Sequence, residues 1–406
     1  MVVIFLFDRN GGKHTLPVTE GQHLWQALLQ NMVPPTSVVI KVNGKIATDD
    51  VVLQGNDVIE AYLIEKYDIS SLIKVYNELF QKVPGEHKYD YVDKFLSINE
   101  SGMLKPLVSG FDLKNVVKDV ETKVNDTVKE FSLLDKGDNV LIGLSGGVDS
   151  TSLMMSLASQ QTELGFSITT ATVANYEVNE ATFAHAAELS DKFNINHNII
   201  EATTVESNFN LNLPLIDVYS KMMQSKFKHY TMYLDHHFMK RSLEVFADNN
   251  NILKIALGLH ASDIMGGLLN GFVTGHRMTD LPLKKIGNKN FIYPLAFILK
   301  KELFMYHFAK TGKEISHARP NEWEFVPLDR NLYYYISDIL QMFWPGINHW
   351  AIAANKEVQK RLPEPEFLKC ANCGTLFLKQ AIKSQKEDMK NCDICEMLYE
   401  LNMINS

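Results

Sequence analysis

Cysteine is nearly absent from this chain of 406 residues: there are four, and none before position 370. That scarcity excludes a disulfide scaffold, which spreads paired cysteines along a small secreted chain. Long hydrophobic runs are missing too. The opening MVVIFLF breaks at Asp8, too short for a signal-peptide core or a membrane span, and no later run reaches the roughly 18 apolar residues a span needs. Positive charge is also short, with 40 Lys and Arg against 48 Asp and Glu and a net charge of −8. A protein whose whole surface grips nucleic acid is usually basic, so any RNA contact is confined to a local patch. What is present points to folded domains. Hydrophobic residues make up 46% and charged residues only 22%, which argues against disorder, and the length calls for two or three domains. The expectation is a soluble cytoplasmic protein without a membrane partner.

Residues 1–66 read as a unit of their own. MVVIFLF and KHTLPV form a hairpin around Asn10-Gly11-Gly12, GQHLWQALLQN has helical spacing, SVVIKVNGKIA turns on Asn43-Gly44, and VIEAYLI is a last strand. Strand–strand–helix–strand–strand–strand is the β-grasp order. The stretch from Val39 to Ile64 resembles the small sulfur carriers and the wider ubiquitin-like group. That resemblance implies a Gly-Gly tail, which is missing here because the last strand runs on into EKYDISSLIKVYNELF. A docking or regulatory role, with a protein partner, is therefore expected rather than carriage of sulfur. Residues 67–135 read as a helical linker. Residues 136–365 alternate strand and helix, which predicts an α/β, doubly wound parallel sheet covered on both faces, and 366–406 form a metal-binding tail.

In that tail, CANC (370–373) and CDIC (392–395) are two Cys-x-x-Cys pairs at the separation of a four-thiolate zinc site. Cys370, Cys373, Cys392 and Cys395 are the candidate ligands, and Gly374 supplies the tight knuckle. The alternatives are two disulfides, which a cytosolic chain seldom keeps, and a labile iron–sulfur cluster.

At the head of the α/β region, NVLIGLSGGVDSTSLMMSLA (139–158) joins a buried strand to a helix through a knot of small polar residues. A turn entering a helix at the carboxyl end of a strand presents backbone N–H groups and the positive end of a helix dipole, which together hold an anion. Gly146 and Gly147 allow close backbone approach. The hydroxyls of Ser145, Ser150 and Thr151 are candidate donors to phosphate oxygens, and Asp149 is a candidate Mg²⁺ ligand. The knot reads as a phosphate cradle, and it lacks the Lys of a Walker A loop.

SGGVDS is similar to the PP-loop of N-type ATP pyrophosphatases, which split ATP into AMP and pyrophosphate. LLDKGDNVLIGLSGGVDS resembles the tRNA 2-thiouridine and 2-thiocytidine synthetases of that family, and the likeness continues over residues 130–310 and 368–403. LGLHASD (257–263) lies where they carry Gly-His-Asn-x-Asp-Asp, so His260 and Asp263 match while Ala261 and Ile264 depart. Pro294, Leu295, Lys301 and Glu302 match a Pro-Leu and Lys-Glu segment, and CDICEMLYELN resembles the closing zinc knuckle. The resemblance implies ATP, Mg and Zn as cofactors, the fold of the adenine nucleotide alpha hydrolases, and catalytic roles for Asp149, Ser150, His260 and Asp263. It also implies that Leu144, Ser145, Gly146, Gly147, Asp149, Ser150 and Thr151, with Ala174 and Gly258 at two further strand ends, line the nucleotide.

One departure bears on the chemistry. Where those synthetases place two cluster-holding cysteines ahead of an Arg-Arg-like pair, this chain has Tyr233 and His236 ahead of Lys240-Arg241. With all four cysteines assigned to the knuckle, no thiol remains for sulfur transfer. As paired imidazoles near the cradle, His236 and His237 could bind a metal or shuttle a proton, but adjacent helix positions let at most one face the site, and His236 is the candidate for a catalytic or ligand role. The aromatic stretch NLYYYISDILQMFWPGINHW (331–350) reads as a core stripe or a stacking wall for a base. The expected function is adenylation of an oxygen on a tRNA base or related substrate for replacement by sulfur or nitrogen. The alternatives are a small-molecule amide- or nitrile-forming synthetase and a non-catalytic ATP-binding adaptor, and a homodimer is left open.

Overall fold

The computed structural model describes residues 2–8, 12–47, 50–64, 115–175, 180–274, 277–312, 328–343, 346–379 and 390–404. The expected turn at Asn10-Gly11 and the expected helix over SSLIKVYNELFQKV lie outside them. The chain divides into two compact units, one of Met1–Asp119, Ala261–Gly266 and Ile298–Trp350, the other of Val120–His260, Gly267–Phe297 and Ala351–Ser406.

In the first unit, the alternation of β1 (Val3–Phe7) buries Ile4 and Leu6. β2 (Lys13–Leu16) follows, and then α1 (Leu24–Gln30), which buries Leu24, Ala27 and Leu28 at the i, i+3, i+4 spacing of one helical face. β3 (Val38–Val42) and β4 (Lys45–Ala47) turn on Asn43 and Gly44, at φ 51° and 78°, as a two-residue hairpin turn requires. β5 (Val58–Leu63) completes a sheet of order β2-β1-β5-β3-β4, with β1 and β5 parallel and the other pairs antiparallel.

The aromatic stretch belongs to this unit. Tyr334, on helix Leu328–Phe343, is buried in the same core as Ile4, Leu28, Ile40 and Ile59, and Tyr335 packs against it. Thr36 Oγ1 donates to the Asp338 carbonyl at 3.4 Å, and buried Lys301 donates from Nζ to the Pro35 carbonyl at 3.1 Å. Lys301, Tyr334, Tyr335 and Asp338 thus pack with the N-terminal segment, whereas the sequence reading includes them in a 136–365 domain. Helical periodicity marks a face to be buried but does not name its partner.

The second unit is built on β6 (Asn139–Gly143), whose Val140, Leu141 and Ile142 form the continuous buried run of a strand covered on both faces. Around it lie β7 (Ser167–Val173), β8 (Asn196–Ile200), β9 (Lys254–Ala256), β10 (Leu283–Ile286) and β11 (Lys289–Ile292), in the order β10-β11-β9-β6-β7-β8. All neighbours are parallel except β10 and β11. The expected parallel sheet carries one antiparallel hairpin at its edge, turned at Gly287 with φ 60°. The chain runs outward through β6, β7 and β8, then returns to β9 on the other side of β6. That reversal makes a topological switch point between the carboxyl ends of β6 and β9, where open α/β sheets bind ligands.

α2 (Val148–Ala158) buries Leu153, Met154, Met155 and Leu157, and α3 (Thr231–Asn249) buries Phe238, Leu243 and Ala247. Phe238 meets Phe209 edge-on at 4.5 Å and Tyr219 at 6.0 Å between ring centroids. The chain closes with the hairpin β12 (Phe367–Lys369) and β13 (Leu376–Leu378) and helix Asp393–Glu400. Among the described residues, no helix is long and apolar enough to cross a membrane.

Candidate functional site

The glycine knot leaves β6 at Leu144, which is buried and donates its N–H to the Ala171 carbonyl at 2.9 Å. Ser150 Oγ fastens the turn. It accepts from the Ser145 N–H at 3.1 Å, lies 3.1 Å from Ser145 Oγ, and donates to the Gly147 carbonyl at 3.3 Å. Gly146 has φ 74°, in the left-handed region that favours glycine. Gly147 is the N-cap of α2 and no side chain caps it, so the cap leaves the first-turn N–H groups to an anion. Asp149 sits in that first turn.

The switch point brings β9 to the knot. A Cβ built on Gly258 would stand 3.1 Å from the Asp149 carbonyl carbon and 3.2 Å from the Ser150 nitrogen. Glycine is therefore needed here for backbone contact with the turn. Ala174 follows β7, buried and bonded through its N–H to the Ile200 carbonyl.

The remaining expected residues lie deeper in the fold. Thr151 is fully buried, and its Oγ1 has no hydrogen-bond partner among the described residues. The helical phase carries position 151 inward while 145 and 150 remain at the turn. His260 is fully buried. Asp263, in the first turn of α4 (Ala261–Thr274), accepts a hydrogen bond from Tyr334 Oη within the first unit.

Sequence reasoning passed over Asp235. This buried carboxylate accepts from Tyr219 Oη at 2.5 Å and from Asn175 Nδ2 at 3.4 Å. Asn175 follows β7, so the group is tied to a strand's carboxyl end. Burial pushes its pKa up to about 6, against the opposing pull of the Tyr219 and Asn175 bonds.

A strand, a glycine turn held by its own serine, and an uncapped helix start at a sheet's switch point agree with a comparison over the same segment: residues 116–281 match the family described as PP-loop domain. This part of the chain is a PP-loop domain. Over 215 residues the chain is 26% identical to a tRNA-cytidine(32) 2-sulfurtransferase of Colwellia psychrerythraea, covering 50% of this chain and 63% of that one. Over 207 residues it is 27% identical to the protein of that description in Chromobacterium violaceum, covering 49% and 59%. The chain thus spans less than two thirds of the length of these curated relatives. Among solved structures, the U34-tRNA thiolase NcsA from Methanococcus maripaludis with its 4Fe–4S cluster superposes with a TM-score of 0.52, over 73% of this chain and 92% of that one. At 16% identity that likeness is one of fold.

Beyond the PP-loop, the second unit holds a cluster of metal-binding character. All four cysteines are buried and unpaired as disulfides. The Cys370 N–H donates to the Thr375 carbonyl at 2.9 Å, the Gly374 N–H returns to the Cys370 carbonyl at 3.0 Å, and Gly374 takes φ 72°. Cys370 Sγ accepts from the Cys392 N–H at 3.4 Å, and Cys373 and Cys392 bring their sulfurs to 4.0 Å. Sulfurs of Cys373, Cys392 and Cys395 lie with His237 Nε2 in a set whose donor atoms are all within 4.8 Å. Thiolates around one tetrahedral ion at Zn–S distances stand about 3.8 Å apart, so this crowding suits a single soft or borderline cation. His237 therefore faces the cysteines. Lys240 and Arg241 are both held by Glu244, at 3.0 and 3.3 Å.

Proposed function

We propose that this protein is an ATP-dependent adenylating enzyme that activates an oxygen of a tRNA base for replacement by sulfur or nitrogen. The observation that carries the reading is the PP-loop at the switch point between β6 and β9, together with the likeness to tRNA sulfurtransferases over that segment. Bound ATP supplies the electrophilic phosphorus: the substrate oxygen attacks it, pyrophosphate leaves, and the incoming nucleophile later displaces AMP. The chain's own residues bind and orient. Backbone N–H groups at Gly146–Val148 and the Ser145 hydroxyl hold the phosphates, Asp149 holds Mg²⁺, and the ends of β7 and β9 at Ala174 and Gly258 flank the nucleoside.

The first unit's sheet supports a β-grasp reading of the N-terminal segment, with a protein partner docking on it. The cysteine centre is read as a structural zinc knuckle, supported by the close-set thiols. All four cysteines lie in that centre, so a nucleophilic sulfur must arrive from a partner, or the incoming group is nitrogen. Positioning, rather than the metal's thiolates, then governs the displacement.

The test is release of AMP and pyrophosphate from ATP with and without bulk tRNA. Asp149→Ala should eliminate AMP formation without unfolding the protein, and undiminished release would sink the assignment. The net charge of −8 favours a second reading, a synthetase acting on a small molecule; a metabolite extract freed of RNA would then stimulate release where tRNA does not.

A further inference from the structure

α3 devotes one face to the C-terminal cysteine hairpin. His237, Arg241 and Glu244, at i, i+4 and i+7, share that face. Arg241 Nε donates to the Cys373 carbonyl at 2.6 Å, and Thr375 Oγ1 donates to Glu244 Oε2 at 3.4 Å. His237 Nε2 lies 3.4 Å from Cys392 Sγ and 3.7 Å from Cys373 Sγ, and Phe209 packs on the imidazole at 5.5 Å. These are contacts to the sulfurs themselves, made from a helix of the PP-loop domain.

We propose that His237 is the hydrogen-bond donor that completes the metal centre, with Nε2–H shared between the thiolates of Cys373 and Cys392. The inference rests on the metal reading of the preceding section. His237, Cys373, Cys392 and Cys395 form the set crowded within 4.8 Å; we read Cys370, whose Sγ accepts the Cys392 N–H at 3.4 Å, as the fourth thiolate of a structural zinc, which places the imidazole outside the coordination shell. A metal-bound thiolate has no proton and can only accept, so in the loaded protein the contact requires a proton on Nε2. Four thiolates on a divalent ion leave two negative charges in excess. An N–H directed at two of the sulfurs offsets part of that charge and fixes the centre against α3. Partners of this kind, which touch ligand atoms rather than the ion, change metal affinity by about 10–100-fold. His237 is thus a positioning residue of the metal centre.

The test loads the full-length protein with one equivalent of cobalt(II) and compares wild type, His237→Leu and His237→Gln. The wild type should show the ligand field of four thiolates. His237→Leu should keep that ligand field, shift the sulfur-to-cobalt charge-transfer band, and lose metal to a chelator at least about tenfold more readily. His237→Gln, which restores an N–H, should recover part of both changes. As a check independent of the variants, the cadmium-loaded wild type should show scalar coupling between the His237 Nε2 proton and the metal across the sulfur. Wild-type affinity and spectrum in His237→Leu would overturn the proposal. So would a three-thiolate, one-imidazole spectrum in the wild type, or absence of the cadmium coupling. A wild type that binds no cobalt removes the metal reading itself, and this inference with it.

Discussion

Replacing Gly258 with alanine inserts a Cβ 3.1 to 3.3 Å from the carbonyl carbon and oxygen of Asp149 and the nitrogen of Ser150. Comfortable carbon contacts begin near 3.5 Å, so the overlap is a few tenths of an ångström. The atoms it meets are backbone at the start of α2 and cannot rotate aside. Overpacking of this kind costs about 1–3 kcal/mol, or a fall in Tm of roughly 2–10 °C for a unit of this size. Because the strain falls on the turn proposed to hold the phosphates, ATP affinity should drop by about tenfold or more, equivalent to ~1.4 kcal/mol. Gly143→Ala is the contrasting case. Its Cβ comes still closer, 2.9 Å, but to Leu243 Cδ1, the end of a side chain that can change rotamer. That variant should lose stability and keep its ATP affinity. Thermal unfolding and calorimetric titration with a non-hydrolysable ATP analogue measure both quantities. Wild-type affinity in Gly258→Ala, with impaired binding in Gly143→Ala, would refute the argument that β9 braces the PP-loop.

The Asp235 carboxyl, raised from 3.8 to about 6, favours the folded state most in its protonated form. Its contribution, about 3 kcal/mol, is fully present below the unfolded pKa and lost as pH rises through about 6; urea midpoints across that range should fall in the wild type relative to Asp235→Asn. Arg241→Met removes the 2.6 Å bond to the Cys373 carbonyl, and loss of a charged donor there should cost about 1.5–3 kcal/mol, seen as faster amide exchange in the β12–β13 hairpin than in β6. Metal analysis should find one zinc per chain, and chelation should destabilise the same hairpin because binding energy there is folding energy; iron with a brown chromophore would point to a cluster instead. Purified protein given tRNA, ATP and a sulfur source should yield no thiolated nucleoside by mass spectrometry, and a clear 2-thiocytidine or 2-thiouridine peak would show that sulfur transfer needs no further thiol.

The parts of this protein legible in its sequence are those whose physical requirement is met by neighbours along the chain. β6, the turn from Ser145 to Ser150 and the start of α2 are contiguous, so the glycine at φ 74° and the serine that ties the turn are both readable from one short stretch. The two cysteine pairs are legible for the same reason, since each knuckle closes within four residues and Gly374 supplies its left-handed step. Asp235 was hidden because its carboxylate is explained only by Tyr219, 16 residues away, and Asn175, 60 residues away. His237 has no role assigned by its own stretch of chain, and the fold brings it to sulfurs 136 and 155 positions distant. Tyr334 carried an apolar stripe with no stated partner, and only packing assigned it to the N-terminal core. Local backbone geometry is written in a few consecutive residues; which buried face, charge or thiol it meets depends on chain closure over tens to hundreds of residues, and that is decided only when the whole core packs.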